Sequence, residues 1–128
     1  MNKLEVGEFA DRYITAVEAG NAALVRSFYD PQARIWHNTD NVEKTVDEAM
    51  RTVEWLGQTL QQQKCTVIRR EVLEDGFFQQ DILRATLPDG TPFVLSACMV
   101  VKIENGLIVR VDEYLDSAEL APLRDFRP

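Results

Sequence analysis

Residues 65–115, "CTVIRREVLEDGFFQQDILRATLPDGTPFVLSACMVVKIENGLIVRVDEYL", decide the fold. Three turn signals, at Glu74 to Gly76, Pro88 to Gly90 and Glu104 to Gly106, cut the stretch into Cys65–Leu73, Phe77–Leu87, Thr91–Ile103 and Leu107–Leu115. Asp-Gly and Asn-Gly suit tight hairpins because both residues tolerate the positive φ such turns demand. Between the turns, β-branched, aromatic and aliphatic residues dominate, so the stretch predicts four consecutive antiparallel strands. Strands of about ten residues in a small domain must bend, and a bent sheet encloses a cone.

Upstream the period changes from two to that of a helix. Val6, Phe9, Ala10, Tyr13, Ile14 and Val17 fall on one stripe of a helix that ends near Gly20. Asn21 can cap a second, short helix carrying Leu24, Val25 and Phe28, which closes before Pro31. "TVDE", Thr45 to Glu48, is a capping box that opens a third helix, with Val46, Ala49, Met50, Val53, Leu56, Gly57 and Leu60 as its buried face. Trp55 falls off that face, which places it at a margin, an interface or the surface. A short strand, Ala33–His37, lies between the second and third helices. The order helix, helix, strand, helix, meander defines an α+β class: a curved antiparallel sheet forming a cone, with three N-terminal helices packed over its mouth.

The 128 residues are expected to form one domain, 1–128, large enough for a single core. A net charge of −7 repels phosphate and anionic lipid, so neither nucleic acid nor membrane is an expected partner. The N-terminal residues carry acids where a secretion signal needs an apolar run, which points to the cytoplasm. Cys65 and Cys98 form no CxxC and sit in apolar surroundings, where they read as reduced core residues. With one histidine and no cysteine pair, no metal and no cofactor is expected.

Alternation along the strands isolates the candidate chemistry. Phe77, Gln79, Asp81, Leu83, Ala85 and Leu87 share a face, and so do Leu107, Val109, Val111, Glu113 and Leu115. Asp81 and Glu113 are thus single carboxylates in largely apolar rows, where burial raises a carboxyl pKa and two acids can divide the roles of base and proton donor. The plainer alternative puts them near a sheet edge or pairs them with Arg84, Arg69 or Arg70, and gives them no further task. In "RIWHN", Trp36 and Asn38 share one side and Ile35 and His37 the other. A tryptophan and an amide facing inward would wall a small pocket, which leaves His37 on the outer side. Both rows of Thr91–Ile103 are largely hydrophobic, so the outer face needs a cover, and a second copy of the chain provides it.

Together "ARIWHN", the helix order and the closing "GLIVRVDEYLDSAELAPL" resemble the SnoaL-like branch of the nuclear transport factor 2-like superfamily, over about residues 4 to 123. The resemblance implies a conical α+β barrel, a homodimer packed through the outer sheet face, and a pocket for a small hydrophobic molecule. Limonene-epoxide hydrolases of that superfamily orient water with an aromatic and an asparagine, which match Trp36 and Asn38. Their arginine and aspartate of the middle strand match Gln79 and Asp81, without the positive charge, and their second aspartate matches Glu113. The tyrosine that ketosteroid isomerases carry on the first helix matches Tyr13. The implied activity is cofactor-independent acid–base catalysis of isomerase, cyclase or hydrolase type on a carbonyl compound or epoxide. Asp81 and Glu113 would be catalytic, and Trp36, Asn38, Gln79, Tyr13 and His37 would contact substrate. A ligand-binding or dimeric interaction domain without chemistry is the alternative.

Overall fold

The computed structural model describes residues 1–127. Helix α1 (Lys3–Glu18) and the short α2 (Ala22–Arg26) lead into β1 (Tyr29–His37) and β2 (Val42–Lys44), followed by α3 (Val46–Thr59). The meander is β3 (Gln61–Leu73), β4 (Gly76–Thr86), β5 (Pro92–Glu104) and β6 (Leu107–Leu115), and α4 (Ser117–Leu120) with a 3-10 turn (Ala121–Phe126) closes the chain. One six-stranded sheet runs in the order β2-β1-β6-β5-β4-β3. The α+β cone is therefore as expected, with the sheet open rather than closed into a barrel. The sheet is also mixed, because β1 enters parallel to β6, with Ile35 opposite Val111 and His37 opposite Glu113. No helix among the described residues is long and apolar enough to cross a membrane.

The local signals act as their chemistry predicts. Asn105 and Gly106 both take positive φ, 52° and 76°, and so turn β5 into β6. At α3 the capping box is complete: the Glu48 amide donates to Thr45 Oγ1 at 3.3 Å, and the Thr45 amide donates to Glu48 Oε1 at 3.1 Å. Strand β2 and the C-terminal helical turns are additions to the expected order. Asn38 to Asn41 form the turn from β1 into β2, with Asn41 at a φ of 55°.

The α1 stripe and the inner sheet face make the main core, where Phe9, Ala10, Tyr13 and Ile14 meet Ile35, Phe77, Met99, Val101 and Val111. A second apolar cluster contains Leu60, Ala85, Leu87, Phe93 and Leu123, with the half-buried Trp55 against it. On β4 the two clusters claim opposite ends, Phe77 on one side and Leu83 to Leu87 on the other. Gln79 and Asp81 fall between them.

Where α1 ends, Gly20 takes a φ of +65° and packs backbone to backbone on Gly57 of α3. A Cβ on Gly57 would lie 2.8 Å from the Gly20 Cα. Gly→Ala in an exposed helix normally stabilises by about 1 kcal/mol. Here the sign should reverse, and Gly57→Ala should cost about 1–3 kcal/mol through overpacking. A urea midpoint that rises on this substitution would contradict the close approach.

Candidate functional site

The polar residues between the two apolar clusters come from five elements. Strand β4 supplies Gln79 and Asp81, which point inward with Phe77 because they share its parity. Gln79 is fully buried and Asp81 is 5% exposed. The Gln79 carboxamide is committed at both ends: Nε2 donates to Asp81 Oδ2 at 2.7 Å, and Oε1 accepts from Arg70 Nε at 2.9 Å. Gln79 therefore holds Asp81 in place, and its expected role as a substrate contact is not the one its bonds describe.

Burial raises the Asp81 pKa, because the ionised carboxylate loses hydration, and the charge of Glu113 raises it further. The hydrogen bond from Gln79 opposes this, with smaller help from Cys65 and Arg70. Cys65 faces Asp81 from β3. Its thiol is pushed up to about 12, by burial first and by the Asp81 charge second. It stays protonated and can only donate.

Glu113 enters from β6, and its partner is His37. The His37 Nε2 and Glu113 Oε1 lie 2.9 Å apart, and the two side chains are 23% and 20% exposed. On β5, Ala97 pairs with Asp81 and Met99 with Glu113, so this strand runs between the two acids. Their backbones are thus about 11–12 Å apart, two strand spacings across and two residues along. Each acid has its own neutral or basic companion: Gln79 for Asp81, His37 for Glu113.

The expected orientation of the "RIWHN" stretch is reversed. Ala33 and Ile35 are buried in the core, so His37, of the same parity, faces inward. Trp36 faces the outer side, where its ring stacks edge-on against Tyr114 at 5.3 Å and its indole donates to Asn41 Oδ1 at 2.8 Å. The exposed Asn38 is tied to the backbone of Leu115: its Oδ1 accepts from the Leu115 amide at 2.7 Å, and its Nδ2 donates to the Leu115 carbonyl at 3.2 Å. Neither side chain is free to orient a water in the interior. The apolar row Ala33–Ile35 was the signal for this parity, and the bulk of tryptophan concealed it.

Tyr13 does reach the site, together with Tyr29, which the sequence did not single out. Their hydroxyls lie 2.6 Å apart in full burial. Desolvation pushes both phenol pKa values well above the ordinary range, and Glu113 adds to both. Each therefore keeps its proton at neutral pH. One hydrogen bond joins the pair, so the accepting tyrosine retains an O–H to donate elsewhere. On the surface, a hollow lined by Arg26, Arg34 and Asp47 and another by Arg26, Met50 and Glu54 lie beside α3, and neither includes Asp81.

A curved sheet with helices over one end, enclosing two acids, a histidine and a tyrosine pair, defines a small α+β cone domain with a polar interior. The SnoaL-like domain family matches residues 10–111, and the chain belongs to that family. No curated protein matches the sequence. Among solved structures, PrhC from Penicillium brasilianum superposes with a TM-score of 0.85 at 12% identity, over 96% of this chain and 87% of that one. TsrD from Streptomyces laurentii does so with a TM-score of 0.80 at 15% identity, over 95% and 96%. A hypothetical protein with a ketosteroid isomerase-like fold from Catenulispora acidiphila, in complex with trimethylamine, gives 0.78 at 12% identity over 94% and 98%. At these identities the likeness is one of fold.

Proposed function

We propose that this chain is an acid–base enzyme acting on a small hydrophobic carbonyl compound inside the cone, with Asp81 as the proton-transfer group and no cofactor. The observation that carries the reading is Asp81 itself, a carboxylate 5% exposed, held by Gln79 and raised in pKa by burial. Burial without a neutralising cation costs stability, and residues kept at such a cost concentrate where chemistry needs them. Family membership supports a small-molecule enzyme without naming the substrate.

In this reading the substrate enters beside Leu83, Leu95 and Ala97, inward-facing residues that are only half-buried. The Asp81 carboxylate takes a proton from the carbon next to the carbonyl, and its raised pKa makes it the stronger base. Negative charge then moves to the carbonyl oxygen, where the free O–H of the Tyr13–Tyr29 pair stabilises it. Asp81 returns the proton at another carbon in an isomerisation; in a cyclisation the enolate carbon attacks a second carbonyl, whose oxygen takes the proton. The His37–Glu113 pair stands by as a second hydrogen-bonding pair on the inner face. A carbonyl suits the site better than an epoxide, because Trp36 and Asn38 do not face the interior to orient a water. The test is turnover of a panel of enolisable ketones and keto-esters by the wild type and Asp81→Asn. Conversion by the wild type that the variant retains in full would overturn the assignment.

The enzyme works as a cytoplasmic homodimer. Val94 and Val100 of β5, Tyr114 of β6 and Ile68 of β3 are exposed hydrophobic side chains on the sheet. Gel filtration should place the chain at twice its mass of 14.6 kDa, and Val100→Asp should shift it toward the monomer. A wild type that elutes as a monomer would remove this part of the reading.

A further inference from the structure

The charge that positions Asp81 comes from the neighbouring strand. The β3–β4 register shifts between Val67 and Arg69: Val67 stands opposite Asp81, yet Arg70, and not Arg69, stands opposite Gln79. An extra residue of this kind is a β-bulge, and it reverses the parity of all that follows. Cys65 and Val67 share the inner row before it, and Arg70 and Val72 share that row after it. Without the bulge Arg70 would face outward with Thr66 and Ile68.

Turned inward, the Arg70 guanidinium is held from three directions. Nε donates to Gln79 Oε1 at 2.9 Å, and Nη1 donates to Asp11 Oδ1 at 2.7 Å and to the Gly7 carbonyl at 3.4 Å. Its centre lies 5.9 Å from the Phe77 ring centroid, and the side chain is 16% exposed. Nothing in this set contacts Asp81. Contact runs through Gln79, whose carboxamide could otherwise present either end to the carboxylate. An oxygen accepting from Arg70 leaves the NH2 end to face Asp81, so the amide cannot flip without losing both bonds.

We infer that Arg70 is a positioning residue for Asp81, acting through the Gln79 carboxamide rather than by direct contact. The inference rests on Asp81 as the proton-transfer group. The relay polarises the Gln79 N–H toward the ionised carboxylate and fixes Oδ2 as the oxygen it engages. Charged and titratable groups acting on Asp81 from other elements are Glu113 on β6, the Cys65 thiol on β3 and Tyr13 on α1, none of which bonds to Arg70; Asp11 on α1 does bond to Arg70 and loses its partner in the Arg70 variants.

Titration of the Asp81 side-chain carboxyl by carbon-13 NMR in the full chain tests this without any substrate. Gln79→Met removes the donor, and Asp81 should titrate about one to two pH units higher, the worth of one hydrogen bond to a charged group. Arg70→Met should move it in the same direction in the wild-type background, and by much less when Gln79 is already Met. Arg70→Lys keeps the charge and loses the fixed N–H geometry, so it should behave like Met; it also covers the case in which Arg70→Met fails to fold. Equal shifts from Arg70→Met in both backgrounds, or an Arg70→Lys protein that titrates as wild type, would overturn the relay in favour of charge acting through space. No shift in any variant would overturn it outright. Failure of Asp81→Asn to affect turnover would remove the enzymatic reading and leave these titrations as they stand.

Discussion

Asp81→Asn should lower turnover by orders of magnitude and, at neutral pH, make the protein more stable. On activity, loss of a positioned base costs about 100- to 10,000-fold, measured as kcat/KM on whichever carbonyl substrate the wild type converts. The stability arm follows from linkage. Folding raises the pKa of Asp81 above its unfolded value of about 3.9. Below that pH both states hold the proton and the acid has no effect. As pH rises through 3.9 the unfolded chain releases its proton first, so folding stability falls until the folded pKa is passed and then levels. The wild type at pH 7 therefore carries a penalty of about 1.4 kcal/mol for every pH unit of the raised value. Asparagine has no such penalty and still offers an oxygen to Gln79 Nε2. Urea unfolding at pH 7 should show the variant ahead, and the difference should vanish below about pH 4. A variant less stable than wild type at pH 7 would show that Asp81 is held by favourable bonds and is not a strained acid.

That combination separates a functional acid from a structural one. A carboxylate kept for the fold would lose stability when neutralised, as a paired surface acid does. One kept for chemistry gains it, since function has retained a group that the apolar surroundings disfavour. The same contrast explains which parts of the molecule its sequence discloses. The meander, the α1 stripe and the α3 capping box depend on local period and local turn chemistry, and each is readable from residues a few positions apart. The Asp81 row is equally local, because alternation along β4 is unbroken from Phe77 to Leu87.

The orientation of "RIWHN" and the inward turn of Arg70 are of another kind. β1 has its face set by the partner it meets, and its parallel pairing with β6 joins residues 76 to 79 positions apart. Residue size favoured Trp36 as the inward side chain, whereas the row of Ala33 and Ile35 decided for His37. Arg70 depends on a single extra residue in β3, which leaves no mark in composition: "TVIRRE" reads as an even strand. Tyr29 was hidden for a similar reason, lying in the two residues between the α2 pattern and Pro31, although its hydroxyl meets that of Tyr13 across the core. Side-chain networks that cross elements are set by register, and register is the property least visible from one strand alone.

The tyrosine pair supplies the second large effect. Tyr13→Phe removes the hydroxyl proposed to face the developing oxyanion, and kcat should fall about 100- to 1,000-fold, the usual cost of one oxyanion donor. KM should change far less, because a ketone oxygen in the ground state carries little charge and gains little from the donor. Tyr29→Phe leaves that hydroxyl in place and removes the bond that orients it, so its effect should be smaller, about tenfold. Both variants leave one buried hydroxyl without its partner, at a cost of about 1–3 kcal/mol in stability, so activities should be compared at a temperature where each protein is folded. The order of the two effects assigns the direction of the 2.6 Å bond. If Tyr29→Phe is the more damaging, Tyr13 donates to Tyr29 and the catalytic O–H is that of Tyr29. If neither substitution lowers kcat, the oxyanion is held elsewhere, and the His37–Glu113 pair, whose imidazole lies on the inner face of β1, becomes the donor to replace next.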